Sequence, residues 1–254
     1  MNKVHKPIGL ESAVREIERL CEYGLPYESS RIDPMLIDLG AGDGQTTFTR
    51  YAARMLMKHK IRQIVGLTTY LEFTVTPRKG QMRIMFGDIE SAAKGVNHFE
   101  GVIAMDVTAL CECVREEQTG YFLDCLRDIA KHAVVILYLS PVKSKNQARY
   151  AELKEKLQKN LIGLRTIAVE PYTTGELTRM VLAKLDDYGI ELEGNLNEKL
   201  EQVVAESCLS CARDTEAIAE TLARHARSDR FSAVLDLEAL EKAFPKICSK
   251  GVTL

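Results

Sequence analysis

No segment of this 254-residue chain approaches the roughly 18 uninterrupted apolar residues of a membrane-spanning helix. The opening MNKVHKPIGLES has no apolar core of signal-peptide length, so a soluble, cytoplasmic protein is expected. Charge of one sign is missing too. With 34 Lys and Arg against 36 Asp and Glu, the net charge of −2 gives no electrostatic case for nucleic acid or an anionic membrane. There is no internal repeat, low-complexity tract or Pro/Gly-rich linker, so the parts of the chain are expected to dock directly on one another. A complete metal-binding pattern is absent as well. The seven cysteines are odd in number and scattered, as expected of reduced thiols. Cys208-Leu209-Ser210-Cys211 has the spacing of half a zinc site but no second pair completes four ligands, and Cys111-Glu112-Cys113 is equally unsupported. Both are expected to be small, semi-buried apolar side chains.

What is present is ordinary globular material, 46% hydrophobic and 28% charged, at a length that suits one large domain or a medium and a small one. Short β-type runs at Met35 to Leu39, Gln63 to Thr68, Gly101 to Asp106, Ala133 to Leu139 and Arg165 to Val169 alternate with helical patterns such as Thr46 to His59 and Gly120 to His132. That alternation predicts a three-layer α/β domain with a parallel sheet. The run from Ala133 to Leu139 is apolar on both alternating sets, as in a central strand covered on both faces. After Pro171 the strand-like runs stop. Apolar stripes over Thr174 to Tyr188, Leu196 to Ser207 and Ala212 to His225 predict helices, and a last one over Leu235 to Phe244 is expected to end at Pro245. The expected division is a 1–172 α/β domain and a small all-helical domain over 173–254.

The densest signal is Leu36-Ile37-Asp38-Leu39-Gly40-Ala41-Gly42-Asp43-Gly44-Gln45-Thr46-Thr47, a strand entering a glycine-rich turn that opens a helix. Such turns gather phosphate-bearing ligands. In the P-loop frame G-x-x-x-x-G-K-[ST], Gly44 is the second glycine and Thr46 the magnesium hydroxyl. Leu39 then stands for the first glycine and Gln45 for the lysine. In the frame of an S-adenosylmethionine methyltransferase loop, Asp38, Gly40, Gly42 and Gly44 all fit, and Gly87-Asp88-Ile89-Glu90-Ser91 ahead of Phe99-Glu100-Gly101-Val102 follows that family's order. The acidic residue that should end its second strand is missing, since Glu72 comes several residues late. Tight strand-to-helix turns also need glycine whether or not a ligand binds.

Taken over nearly its full length, the chain resembles AAA+ ATPase modules, nearest to the sporulation protein K and rubisco-activase relatives. Pro7-Ile8-Gly9-Leu10 and the helix after it resemble the segment that brushes adenine, Phe99 to Asp106 resembles Walker B, and Val135 to Ser140 falls at sensor 1. Asn160-Leu161-Ile162-Gly163-Leu164-Arg165, followed by Glu170-Pro171-Tyr172-Thr173-Thr174-Gly175-Glu176-Leu177, resembles the passage into that family's lid, and Arg213 falls at sensor 2. The resemblance implies ATP or ADP with Mg2+ held by Gly9, Gly40, Ala41, Gly42, Asp43, Gly44, Gln45, Thr46, Thr47 and Arg213. It places the metal at Thr46 and Asp106, and it implies a protein partner or a ring.

The departures bear on the chemistry. Gln45 carries no charge to set against a triphosphate, and Val107, after Asp106, cannot act as a base. Hydrolysis is expected to be absent or vestigial, with no catalytic residue assigned and a scaffold or assembly role in its place. The alternative is a methyltransferase using Asp38 to Gly44. Arg165 either serves a neighbouring subunit or closes a strand, Asp106 either holds metal or caps a helix, and Arg213 either reaches phosphate or pairs with Glu216 or Glu220.

Overall fold

The computed structural model describes residues 6–23, 32–59, 70–75, 101–113, 116–131, 133–141, 146–207, 209, 211–228 and 233–250. Its contacts divide the chain into two units, Met1–Val169 and Glu170–Leu254. In the first unit the order is α1 (Glu11–Tyr23), β1 (Met35–Ile37), α2 (Gln45–Lys58), β2 (Tyr70–Thr74), β3 (Val102–Asp106) and α3 (Leu110–Cys113), followed by α4 (Glu116–Ile129), β4 (Val134–Tyr138), α5 (Gln147–Asn160) and β5 (Arg165–Ile167). The five strands form one sheet in the order β2-β3-β4-β1-β5, and every pair is parallel. Strands β1, β3 and β4 are buried at every position, which is why their sequences read as unbroken apolar runs. The strands β2 and β5, at the two ends of the sheet among the described residues, carry exposed Glu72, Thr74 and Thr166.

One face of this sheet packs Leu36, Ile103, Val135 and Leu137 against Phe122 and Leu126 of α4 and Leu153 and Leu157 of α5. Helices α1 and α2 pack on each other, with Ala13, Val14, Ile17 and Cys21 on one and Phe48, Tyr51, Ala52 and Leu56 on the other buried at helical spacing. Burial pushes the Cys21 thiol up to about 11, and burial with a hydrogen bond to Glu18 pushes the Tyr51 phenol up to about 12. Both stay neutral and serve as packing.

The second unit runs α6 (Thr174–Asp187), β6 (Ile190–Leu192), α7 (Asn197–Glu206), α8 (Asp214–Ala223), β7 (Arg227–Ser228), β8 (Ala233–Leu235) and α9 (Leu237–Lys250). Val181, Leu185, Leu200, Val203, Ile218, Leu222, Leu240 and Ala243 make its own core. Thr173 opens α6 through a reciprocal capping box with Glu176.

The unit is not all-helical. Three strands form a separate small sheet in the order β6-β8-β7, with β6 parallel and β7 antiparallel to β8. Strands of two or three residues are too short to show a period, so the helical stripes around them dominate the sequence pattern. The last helix also differs from expectation. Residues 233–235 are strand, Asp236 caps the helix by accepting from Ala239 N–H at 2.7 Å, and Pro245 lies inside α9. Pro245 cannot donate to the carbonyl of Glu241, which is an exposed residue, while buried Leu240 and Ala243 hold the helix to the core. Strand β2 and helix α5 add to the expected elements, and the expected strand Gln63 to Thr68 lies outside the described residues.

Gly163 turns the chain from α5 into β5 at φ 79°, and a Cβ there would meet Asp33 Oδ1 at 2.2 Å. Gly163→Ala is expected to cost about 1–2 kcal/mol through the left-handed backbone alone. Chemical denaturation checks this, and an unmoved midpoint at unchanged slope would refute it.

Candidate functional site

Strand β1 ends at Ile37, and the chain turns through Asp38 to Gly44 into α2. Gly42 at φ 91° and Gly44 at φ 92° adopt a backbone that side-chain-bearing residues rarely tolerate, and Asp43 N–H closes the turn on Gly40 O at 3.0 Å. Gly44 caps α2 with no side-chain hydrogen bond, so the first-turn N–H groups of the helix have no partner within it. A backbone so arranged fits a phosphate. Gly40 is buried, Gly42, Asp43, Gly44 and Gln45 are half-buried, and Ala41, Thr46 and Thr47 are exposed.

The side chains around the loop tell a different story. Gln45 Nε2 donates to Asp106 Oδ2 at 3.0 Å and to Leu39 O at 3.2 Å. Asp106, at the end of β3, also accepts from Thr108 N–H through Oδ1 at 2.9 Å. Thr46 Oγ1 donates to Glu72 Oε2 on β2 at 3.2 Å. Both carboxylate oxygens of Asp106 and the Thr46 hydroxyl therefore hold hydrogen bonds inside the protein, which a Mg2+ ion at these residues would have to share or displace. No group of three or more His, Cys, Asp or Glu side chains placed to hold a metal is found among the described residues.

Beneath the loop, Tyr138 at the end of β4 is buried and donates to Gln45 O at 3.0 Å. Its oxygen lies 2.7 Å from Thr49 Oγ1, which is itself 3.0 Å from Gln45 O, so the two hydroxyl protons are shared among three contacts. Burial drives the Tyr138 phenol far above its ordinary value, with Glu72 and Asp106 adding to the effect. It remains a neutral donor. Beside the loop, Asp38 is tied to Lys154 at 3.0 Å and to the Tyr150 hydroxyl at 3.1 Å, both from α5. Thr49, Tyr150 and Lys154 carry no expectation from the sequence, whereas Tyr138 falls in the segment expected at sensor 1 and Glu72 enters only as an acidic residue too late for the methyltransferase pattern.

Of the remaining candidates, Gly9 stands at φ 74° in the turn before α1, and its N–H donates to Glu11 Oε1 at 3.3 Å. Ser140, at the end of the sensor 1 segment, donates its N–H to Thr108 Oγ1 at 3.0 Å, which joins the ends of β3 and β4. Arg213 lies in the second unit at the N-cap of α8. Glu216 and Glu220, its expected partners, pair with Lys184 and Arg224 instead. Arg165 holds Glu16 at 2.9 Å, and its Nε lies 3.5 Å from Asp33, a distance at which attraction remains but the hydrogen bond is lost. Cys208, the side chain of Cys113 and residues 87–91 and 99–100 lie outside the described residues.

The sheet order separates the two readings of the glycine loop. A Rossmann-type site for S-adenosylmethionine sets the strand that follows the loop beside the strand that precedes it. Here β1 has β4 and β5 as its neighbours, and β2 lies at the far side of β3. Asp38, the acidic start of the methyltransferase pattern, is neutralised by Lys154.

No family model matches the chain, and none of the curated proteins does. Solved structures do. A RuvB variant from Thermotoga maritima aligns over 94% of this chain and 70% of its own at TM-score 0.62 and 13% identity. Domain III of the Thermotoga maritima replication initiation protein DnaA aligns over 100% of this chain and 96% of its own at TM-score 0.57 and 13% identity. A replication initiator DnaA bound to AMPPCP and single-stranded DNA aligns over 87% and 63% at TM-score 0.55 and 13% identity. The chain thus shares the fold of these RuvB and DnaA domains, a parallel five-stranded sheet with flanking helices.

Glu16 supplies a pH test of how Arg165 is used. A hydrogen bond from Arg19, joined by the charge of Arg165, outweighs burial and holds the Glu16 carboxyl below its ordinary value. A depressed carboxylate contributes stability that is present above its unfolded value, about 4.3, and is lost as pH falls through the folded one. Glu16→Gln is expected to cost about 1 kcal/mol at pH 7 and progressively less at a pH below the unfolded value of about 4.3, as the folded carboxylate protonates. Denaturation at both pH values checks this, and an equal cost at the two would contradict it.

Proposed function

We propose that this chain is an AAA+-type module that has kept the nucleotide-binding fold and does not turn over ATP, so that it works by conformation or assembly. The observation that carries the reading is Gln45, which stands in the loop's lysine position and donates its neutral amide to Asp106 at 3.0 Å. A triphosphate entering here meets Asp43, Glu72 and Asp106 with no lysine from the loop to offset them. The residue after Asp106 is Val107, fully buried and without acid or base function. A missing positioning group alone costs on the order of 10² to 10³ in rate.

ATP or ADP is bound weakly or not at all, and Mg2+ adds little. The second unit serves as the lid, with Arg213 in the sensor 2 position. The module acts in the cytoplasm as a scaffold or as a non-hydrolysing member of a ring. Kinship with the sporulation protein K and rubisco-activase relatives rests on the passage from Asn160 to Leu177. One DnaA neighbour carries single-stranded DNA, but a net charge of −2 favours a protein partner for this chain.

Steady-state phosphate release with Mg2+ and ATP is expected to stay at background, and a rate near 1 s⁻¹, within the typical enzyme range, would refute the proposal. Gln45→Lys is expected to strengthen ATP binding about tenfold or more, because it restores one charge-assisted contact of about 1.5 to 3 kcal/mol. Calorimetry of wild type and variant with ATP, with S-adenosylmethionine as the control, decides it. Unchanged ATP affinity would show that Gln45 does not hold the lysine's place.

A further inference from the structure

Gln45 is fixed at both ends. Its carbonyl accepts from Tyr138 and Thr49, and its side-chain amide runs from Leu39 O, where the loop opens, to Asp106, 61 positions along the chain. Asp106 Oδ1 accepts from Thr108 N–H, so each oxygen of the carboxylate already holds a hydrogen bond within the protein.

We propose that the Gln45–Asp106 hydrogen bond is a latch that fills the loop in place of a ligand, so that Gln45 sets the selectivity of this site against Mg2+ with a triphosphate. The proposal rests on residues 39–46 being a P-loop that does not turn over. A lysine at position 45 would satisfy Asp106 and still bring a positive charge to the loop. Glutamine satisfies Asp106 and brings none. A cation approaching Asp106 must first displace the amide from a bond to a charged acceptor. A polyphosphate arriving without a cation faces Asp106 and Glu72 unopposed. The same bond spans the mouth of the turn, so the loop keeps its shape with no nucleotide in it.

The test uses the full chain without nucleotide. Gln45→Met keeps the length of the side chain and removes its donor. Hydrogen exchange over residues 39–46 is expected to be about tenfold faster or more in Gln45→Met than in wild type, with β3 and β4 unchanged. Mg2+ alone is expected to leave the wild-type loop unmoved. Equal exchange in the two proteins would overturn the latch, and so would slower exchange in the wild type on adding Mg2+. A double-mutant cycle of Gln45→Met and Asp106→Ala isolates the contact, with an expected coupling of about tenfold in the unfolding equilibrium constant. Additive losses would overturn the latch as well, and the exchange comparison stands if Asp106→Ala does not fold. Because nucleotide is absent, failure here leaves the non-hydrolysing module standing, whereas ATP turnover by the wild type would sink that module and leave the exchange data intact.

Discussion

The pairing of β1 with β4 on one side and β5 on the other fixes almost everything else in the first unit. It sets the glycine loop, which leaves β1, beside the ends of strands that lie far along the chain, so that Asp106 and Tyr138 arrive at Gln45 from 61 and 93 positions away. Parallel strands cannot do this locally, since each neighbour needs a crossover of a dozen residues or more. It also removes β2 from the edge of β1, where a Rossmann-type ribose contact would have to be made. One pairing therefore both assembles the site and rules on its chemistry.

Backbone and side chains at this site point in opposite directions. Positive φ at Gly42 and Gly44 and the uncapped start of α2 build a place for an anion. Glu72 and Asp106 surround it with negative charge, and Gln45 answers with a dipole where a cation would be required. Among the described residues, Lys154 beside the loop is committed to Asp38 and so offsets a carboxylate already there. Polar groups this satisfied resist opening, because each displaced partner costs its desolvation penalty before any ligand contact forms.

The strands buried on both faces were legible in the sequence because double-sided burial leaves an unbroken apolar run, as at Val134 to Tyr138. The glycine loop was legible because its φ values demand glycine. Strand β2 was not, since its half-exposed pattern Tyr70-Leu71-Glu72-Phe73-Thr74 sits beside a more apolar run. Nor was the small sheet of the second unit, whose geometry depends on Asp236 capping α9 and pairing with Arg227 at 2.8 Å, contacts that no local pattern announces. The loop's glycines were visible, but its charge environment was not. Glu72 reaches Thr46 only because β2 pairs with β3 in a register that sets Thr74 beside Asp106.

On the proposed reading of residues 39–46 as a P-loop, the absence of its lysine need not unravel the loop. In a P-loop that works, the lysine and the bound phosphates hold each other, and an empty loop with no donor at position 45 would leave Asp106 Oδ2 without its partner, a cost of roughly 1–3 kcal/mol. Glutamine is long enough to reach the same carboxylate and the Leu39 carbonyl together, so the structural half of the lysine's work survives while the electrostatic half is gone. A shorter or apolar residue at position 45 would have lost both. On that reading the fold tolerates glutamine at position 45, because its amide still closes the turn onto Leu39 O and Asp106.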